Sequence, residues 1–247
     1  MNVTFPNKRG DLLSGVVEGT GEVGIVLCPH FTGFKEYKHY YRLAKSLVKA
    51  GFHVLRFDYA DCIGSSQGTC EDMSVTHQVE DVLSAIDFLK TQGVKNIGLF
   101  GHSLGGLTAI AATCKTKVDA LVVAAAPAKL AWDTLFNQRK KEWEEKGYVE
   151  FPSIKGPIKI HFSFYQDLGN YDATKIIEEV SCPVLVIHAA KDELITLSNT
   201  HGVFLHAKEP KEFLAIGGAD HMFSGEYEKR LVLATTHWFT DWMLQTD

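Results

Sequence analysis

The sequence predicts an α/β fold: a doubly wound, mostly parallel β-sheet with helices on both faces and one inserted segment. Several short runs are apolar throughout rather than alternating, which is typical of strands buried on both faces of a parallel sheet. Amphipathic segments with helical spacing lie between these runs. Strand–helix alternation of this kind favours a doubly wound sheet. The alternation is interrupted once, over roughly fifty residues, which indicates an insertion.

Six mostly apolar runs have the length of a strand. They predict strands at Val23–Cys28, His53–Phe57, 97–100, 120–125, 184–188 and 213–216. The earlier segment Leu12–Glu18 is predicted to be an edge strand near the N-terminus. Ser74 is suited to cap the helix that follows it. The predicted helical faces carry Val75, Val79, Val82, Ile86 and Leu89; Tyr40, Leu43, Leu47 and Val48; and Leu231, Thr235, Trp238 and Trp242.

The interruption lies between residues 126 and 182, where no clear buried strand is visible. A connection of this length inside an α/β sheet usually has its own structure and often a function. We therefore predict a core of residues 1–127 and 179–247 with an inserted lid at 128–178. The charge run at 139–146 predicts an exposed helix face. The insertion is rich in aromatic residues: Trp132, Phe136, Trp143, Tyr148, Phe151, Phe162, Phe164 and Tyr165.

Composition argues against several classes of protein. The 247 residues are 45% hydrophobic and 22% charged, and the net charge is -5. This charge gives no sign of the basic surface that is typical of nucleic-acid-binding proteins. No run approaches the roughly 20 apolar residues that span a bilayer, and no signal peptide is recognised, so we expect a cytoplasmic protein. The five cysteines form no CxxC pair, and the sequence contains no HExxH motif. We therefore expect neither a bound metal nor a cofactor. Pairing of Cys62 with Cys70 and the oligomeric state stay open.

One motif carries chemistry. Gly101-His102-Ser103-Leu104-Gly105 matches G-x-S-x-G, follows a predicted strand and precedes a helix-prone segment. This strand–turn–helix context is that of a nucleophile elbow, in which small neighbours let the backbone approach a strained serine. We therefore predict that Ser103 is a nucleophile.

A serine hydroxyl needs a base, and the base needs a carboxylate that fixes its tautomer. In this architecture the chain order is Ser, Asp or Glu, then His. His221 follows the last predicted strand and precedes the last helix, so it is the predicted base. Asp192 follows the strand at 184–188 and is the predicted acid, with Glu193 as its rival. Backbone N–H groups of Leu104 and of Phe31, in the loop after Val23–Cys28, are the predicted oxyanion donors.

The residues at 101–106, the Phe31-Thr32-Gly33 loop and the segment 217–223 resemble α/β-hydrolases of the cinnamoyl (feruloyl) esterase and monoacylglycerol-lipase-like type. The resemblance covers nearly the whole chain in the order of its elements. It implies the α/β-hydrolase fold, a serine esterase activity and a lid at the position of the insertion.

Two loops depart from the pattern of these relatives. Their oxyanion loop commonly reads His-Gly-Phe-x-Gly, and here Pro29 and His30 replace the first two residues while Phe31 and Gly33 match. Their Asp-aromatic-Arg-Gly-x-Gly-x-Ser loop corresponds to residues 58–66, which lack the arginine and are one residue longer. Because that loop often forms part of the pocket wall, the difference implies that this chain has another substrate specificity than those relatives.

The leading hypothesis is hydrolysis of a small-molecule carboxylic ester, of an aryl (cinnamoyl-type) or short-acyl kind, through an acyl-enzyme. A peptidase, thioesterase or amidase with the same three residues is the enzymatic alternative. A ligand-binding member without catalysis is the third reading. Because the sheet alone offers no concave apolar surface, the lid is predicted to bind substrate through Trp132, Phe136 and Phe164. The competing reading is that these aromatic side chains only form the core of the insertion.

Overall fold

The computed structural model describes residues 1–129 and 135–244. The main sheet has eight strands: β1 Asn2–Pro6, β2 Leu12–Glu18, β3 Val23–Cys28, β4 His53–Phe57, β5 Asn96–His102, β6 Ala120–Ala124, β9 Val184–Ala189 and β10 Lys211–Ile216. They lie in the order β1-β2-β4-β3-β5-β6-β9-β10 and are parallel from β4 to β10. The predicted α/β class with a mostly parallel sheet is confirmed.

Helices cover both faces of the sheet. On one face, α1 and α9 pack on strands through residues such as Leu43 and Phe239, while α2 and α3 cover the other face. Ser74 caps α2, as predicted, because its hydroxyl accepts the backbone N–H of His77. The helices are α1 Lys38–Ala50, α2 Val75–Thr91, α3 Leu104–Thr113, α4 Leu135–Gln138, α5 Lys140–Lys146, α6 Phe162–Leu168, α7 Ala173–Ile176, α8 Leu197–His206 and α9 Tyr227–Met243.

The N-terminal edge of the sheet differs from the prediction. Leu12–Glu18 is the second strand, because Asn2–Pro6 pairs with it in antiparallel register and forms the edge. The sequence gives little sign of this outer strand, since only Phe5 in it is buried. An edge strand with one buried side chain lacks the apolar pattern that marks a strand.

The insertion contains a β-hairpin that the sequence analysis did not predict. Strands β7 Tyr148–Phe151 and β8 Ile158–His161 pair in antiparallel register, between α5 and α6. The side chains of β7 alternate between exposed and buried, with Val149 and Phe151 inward. The predicted charged helix face at 139–146 corresponds to α5, where Trp143 is the one residue that is buried.

None of the described helices combines the length and the apolar character needed to cross a lipid bilayer.

Candidate active site

Ser103 lies at the turn between β5 and α3, at the carboxyl edge of the sheet. Its backbone has φ 55° and ψ −121°, a left-handed conformation that is costly for a residue with a side chain. A Cβ at Gly101 would collide with the carbonyl oxygen of Gly105, and a Cβ at Gly105 would collide with that of Cys28. The glycines therefore permit the close backbone approach that holds the serine in this turn.

His221 follows β10 and approaches Ser103 from the loop before α9. Its Nε2 lies 3.0 Å from the Ser103 Oγ, and its Nδ1 lies 2.7 Å from an Asp192 carboxylate oxygen. Since a carboxylate only accepts, Nδ1–H donates to Asp192, and Nε2 presents its lone pair to the serine hydroxyl. The structure thus brings the three predicted residues into one hydrogen-bonded chain.

Asp192 lies in the loop after β9, and its side chain is fully buried. One oxygen accepts the backbone N–H groups of Leu194 and Ile195, each at 2.8 Å, and the other faces His221. The rival residue, Glu193, is exposed. Asp220, next to His221, accepts the backbone N–H of Ser224. Position and hydrogen bonding therefore favour Asp192 over both neighbouring carboxylates.

Phe31 lies in the loop after β3, and Leu104 directly follows Ser103; their backbone N–H groups are the predicted oxyanion donors. Leu104 is the first residue of α3, where N–H groups have no partner within the helix. Neither N–H donates a hydrogen bond to any residue that the structure describes. Both are therefore available to an oxygen atom placed beside Ser103.

A cavity of about 370 Å³ opens onto Ser103 and His221. Among the described residues that line it, none carries a carboxylate, an ammonium or a guanidinium group. The cavity therefore suits an uncharged, mostly apolar group. It is lined by His30, Phe31, Thr32, Tyr37, Ser103, Leu104, Phe136, Phe151, Pro152, Leu194, Ile195, His221 and Met222.

The three aromatic residues predicted to bind substrate have different positions. Phe136 lines the cavity, whereas Phe164 is fully buried behind it, 5.6 Å from Phe136 between ring centroids. Trp132 lies outside the described residues. Phe151 also lines the cavity but was not predicted to bind substrate; its place among the aromatic residues of the insertion was the available signal.

Phe31 joins the insertion to the oxyanion loop. Its ring packs edge-on against Phe136 and Phe151, at centroid distances of 4.9 and 5.2 Å, and stacks near Phe164 at 5.9 Å. Three side chains of the insertion therefore pack against the residue that is predicted to donate its backbone N–H to the oxyanion. This packing links the position of the lid to the geometry of the site.

The loop at 58–66 lies beside the site without lining the described part of the cavity. Asp58 is fully buried and accepts two hydrogen bonds from Lys35, one from the ammonium group at 2.6 Å and one from the backbone N–H at 2.7 Å. From the insertion, Lys155 donates to the carbonyl oxygen of Ile63. The role of this loop is therefore to support the oxyanion loop and to anchor the insertion, in contrast to the wall implied by the resemblance.

Known proteins are similar to this chain in sequence. A family model described as acyl transferase matches residues 22–142. The mitochondrial palmitoyl-protein thioesterase ABHD10 of Pongo abelii is 32% identical over 182 residues, which cover 70% of this chain. The chain spans 58% of the length of that relative and of its human counterpart.

Solved structures resemble the chain over nearly its whole length. Mouse alpha/beta hydrolase domain-containing protein 10 has a TM-score of 0.82 at 24% identity and covers 98% of both chains. Est1E from Butyrivibrio proteoclasticus, in a structure with ferulic acid bound, has a TM-score of 0.81 at 18% identity. That comparison covers 98% of this chain and 100% of Est1E. At these identities the likeness establishes a common fold.

Proposed function

Because the chain belongs to the α/β-hydrolase superfamily, we propose that it is a serine hydrolase that cleaves an ester or thioester through an acyl-enzyme. The observation that carries the proposal is the hydrogen-bonded chain Ser103–His221–Asp192 at the mouth of an uncharged cavity. A serine alone is a weak nucleophile, and this arrangement supplies both the base and the group that orients it.

In the first half of the reaction, Ser103 Oγ attacks the carbonyl carbon while His221 Nε2 takes the hydroxyl proton. The negative charge that develops on the carbonyl oxygen is stabilised by the N–H groups of Phe31 and Leu104. When the intermediate collapses, the bond to the leaving group breaks, and His221 returns the proton to the departing alkoxide or thiolate. Asp192 stabilises the imidazolium that forms in between.

In the second half, water takes the place of the leaving group. His221 removes a proton from the water as it attacks the acyl carbon, and the same two N–H groups again face the oxyanion. The bond from the acyl carbon to Ser103 Oγ breaks, and the serine recovers its proton from His221. The products are a carboxylic acid and the regenerated enzyme.

The cavity supports an uncharged, apolar acyl group. An aryl acyl group of the cinnamoyl type fits the edge-on aromatic contacts that Phe31, Phe136 and Phe151 make with one another. A thioester is supported by the similarity to a palmitoyl-protein thioesterase. A peptidase or amidase would use the same three residues, with His221 protonating the departing amine, and it stays the enzymatic alternative.

Transfer to an acceptor other than water is a second candidate, favoured by the acyl transferase family model. It uses the same acyl-enzyme and differs only in the second nucleophile. Turnover in the presence of an added alcohol or amine, with the new ester or amide measured by mass spectrometry, separates the two. Free acid as the main product supports hydrolysis.

The central test removes the nucleophile. We expect Ser103→Ala to lower kcat on nitrophenyl esters and acyl thioesters by several orders of magnitude, and to abolish labelling by a fluorophosphonate probe. Ser198→Ala, at an exposed serine of α8, is the matched control and should keep both properties. Wild-type turnover in Ser103→Ala contradicts the proposal. Absence of labelling in the folded wild type favours a ligand-binding protein instead.

A further inference from the structure

Three buried histidines lie behind His221 and take no part in the proposed reaction. His30 belongs to the loop after β3, His39 to the first turn of α1, and His102 to the end of β5. They are 6%, 5% and 0% exposed, and each ring offers a nitrogen within 4.8 Å of the other two. Three imidazoles from separate elements thus converge on one small volume.

Hydrogen bonds fix the outward nitrogens of two of these rings. His102 Nε2 lies 2.9 Å from the carbonyl oxygen of His221, and since a carbonyl only accepts, Nε2 carries the proton and Nδ1 the lone pair. His30 Nδ1 is 2.7 Å from the Tyr40 hydroxyl, which leaves Nε2 for another partner. Such outer contacts are what orients metal-binding histidines in proteins.

The nitrogens left over lack partners. Among the residues that the structure describes, neither His102 Nδ1 nor His39 Nε2 has a hydrogen-bond partner, and both atoms are buried. A buried ring nitrogen without a hydrogen-bond partner is costly, so each such atom calls for an explanation. A cation that accepts the lone pairs satisfies them together.

The protonation state of the cluster suits a metal. Burial lowers the pKa of His39 to about 4 and holds the pKa values of His30 and His102 well below the ordinary value for histidine. At neutral pH all three imidazoles are therefore uncharged. This is the form that coordinates a metal ion.

We propose that His30, His39 and His102 bind a divalent transition-metal ion, with Zn²⁺ as the best match. The ring centroids lie 5.1, 5.2 and 5.7 Å apart, and imidazoles around one tetrahedral Zn²⁺ with bonds of about 2.0–2.1 Å have ring centres roughly 5 Å apart. Small ring rotations bring the three nitrogens to the separation of about 3.4 Å that this geometry requires. Water would complete the shell of four ligands.

The absence of HExxH and CxxC spacing predicts no metal, but such spacing marks only ligands that lie close together in sequence. Here each ligand comes from a different element, and only the fold brings them together. Imidazole ligands without thiolate or carboxylate suit Zn²⁺, Cu²⁺ and Ni²⁺ better than Mg²⁺ or Ca²⁺.

The site has a route of entry and a consequence for the reaction. His30 also lines the active-site cavity, so an ion reaches the cluster from there. The rings of His102 and His221 have centroids 5.2 Å apart. A divalent cation at the cluster opposes the positive charge that forms on His221 during acylation, so the bound ion inhibits turnover. This consequence rests on the proposed function, whereas binding of the ion does not.

Binding is tested with Co²⁺ as a spectroscopic probe. After removal of metal with chelator, the purified chain should take up one Co²⁺ and develop the visible absorption of a four-coordinate site. His39→Gln should lose this absorption. His53→Gln is the matched control, because His53 is also buried with an unpartnered Nδ1 among the described residues but lies at the start of β4. Failure of the wild type to bind Co²⁺ or Zn²⁺ stoichiometrically overturns the proposal, as does unchanged absorption in His39→Gln.

Diffraction and kinetics complete the test. An anomalous peak between the three rings in Co²⁺-soaked crystals is the expected result, and this measurement holds even if His39→Gln does not fold. A peak only at His221 and Asp192, or on surface histidines, overturns the assignment. In turnover assays Zn²⁺ should inhibit the wild type and His53→Gln at least tenfold more strongly than His39→Gln. If the wild type binds Co²⁺ at the cluster but hydrolyses no ester, the proposed function fails and the metal site stands.

Discussion

Asp192 engages both of its carboxylate oxygens, whereas the neighbouring Glu193 is exposed. The two N–H groups on one oxygen fix the carboxylate, so the other oxygen holds His221 in a single tautomer. We expect Asp192→Asn to lower kcat about 10³- to 10⁴-fold, because an amide in this place does not maintain that tautomer. Glu193→Gln should change kcat less than threefold. Steady-state rates on a nitrophenyl ester measure both. A larger loss of kcat in Glu193→Gln than in Asp192→Asn would show that Glu193, not Asp192, orients His221.

Burial keeps three of the five cysteines, Cys28, Cys62 and Cys182, in the unreactive thiol form. All five are free thiols in the structure, so Cys62 and Cys70 are not paired. Burial raises the pKa of Cys28 and of Cys182 to about 12, and it raises the pKa of Cys62 as well. Because the thiolate is the reactive form, these thiols stay protonated at neutral pH.

We therefore expect the native chain to react with a disulfide reagent such as DTNB at no more than two thiols. The two candidates are Cys70 and Cys114, which are half-buried. In denaturant all five should react. Rapid reaction of three or more thiols in the native chain contradicts the expected burial. The measurement is the absorbance of released thionitrobenzoate at pH 7.5.

Among the elements, the strands of the parallel part of the sheet were predicted, including the edge strand β10, in which only Ile216 is buried, whereas three short strands were not. The six predicted apolar runs correspond to β3, β4, β5, β6, β9 and β10. The strand β1 and the hairpin β7–β8 were missed. None of these three strands contains a run of four apolar residues, so local hydrophobicity carries little information about them. Pairing of such strands depends on contacts that are distant in sequence.

The insertion contributes two phenylalanines, Phe136 and Phe151, to the cavity wall. We expect Phe136→Leu and Phe151→Leu to change the ratio of kcat/KM between aryl and linear acyl esters by about fivefold or more, since each removes a ring contact of roughly 0.5–1.5 kcal/mol. Phe162→Leu is the matched control, because Phe162 stacks on Tyr165 and does not line the described cavity. Fluorophosphonate labelling of Ser103 should persist in all three. An unchanged substrate preference in both cavity variants contradicts the role of the lid in specificity.

For the molecule as a whole, the three residues of the triad could be predicted from the sequence, whereas the residues packed around them could not. Ser103, Asp192 and His221 follow strand ends in a fixed order, which a sequence preserves. The order of strands in the sheet, the packing of Phe31 under the insertion and the convergence of His30, His39 and His102 are properties of the complete fold. No local pattern encodes them, because their parts lie on separate elements.

The insertion and the sheet share one hydrophobic core. The buried cluster that contains Val26 and Leu104 continues without a break into Trp143, Phe151 and Phe164 of the insertion. The predicted core, at 1–127 and 179–247, and the predicted lid, at 128–178, are separate segments of the chain. Their side chains nevertheless pack into one buried cluster. A lid built on a shared core is expected to unfold together with the sheet rather than before it.

This continuity can be tested with one buried and one exposed side chain of the insertion. Phe164 is fully buried, so Phe164→Ala should lower the free energy of unfolding by about 3–5 kcal/mol. Ile154→Ala, at a residue 71% exposed, should change it by less than about 0.5 kcal/mol. Urea unfolding followed by tryptophan fluorescence and by far-ultraviolet circular dichroism should give coincident midpoints in both variants. If fluorescence changes at lower urea in Phe164→Ala while the helical signal persists, the insertion unfolds on its own and the shared core does not couple it to the sheet.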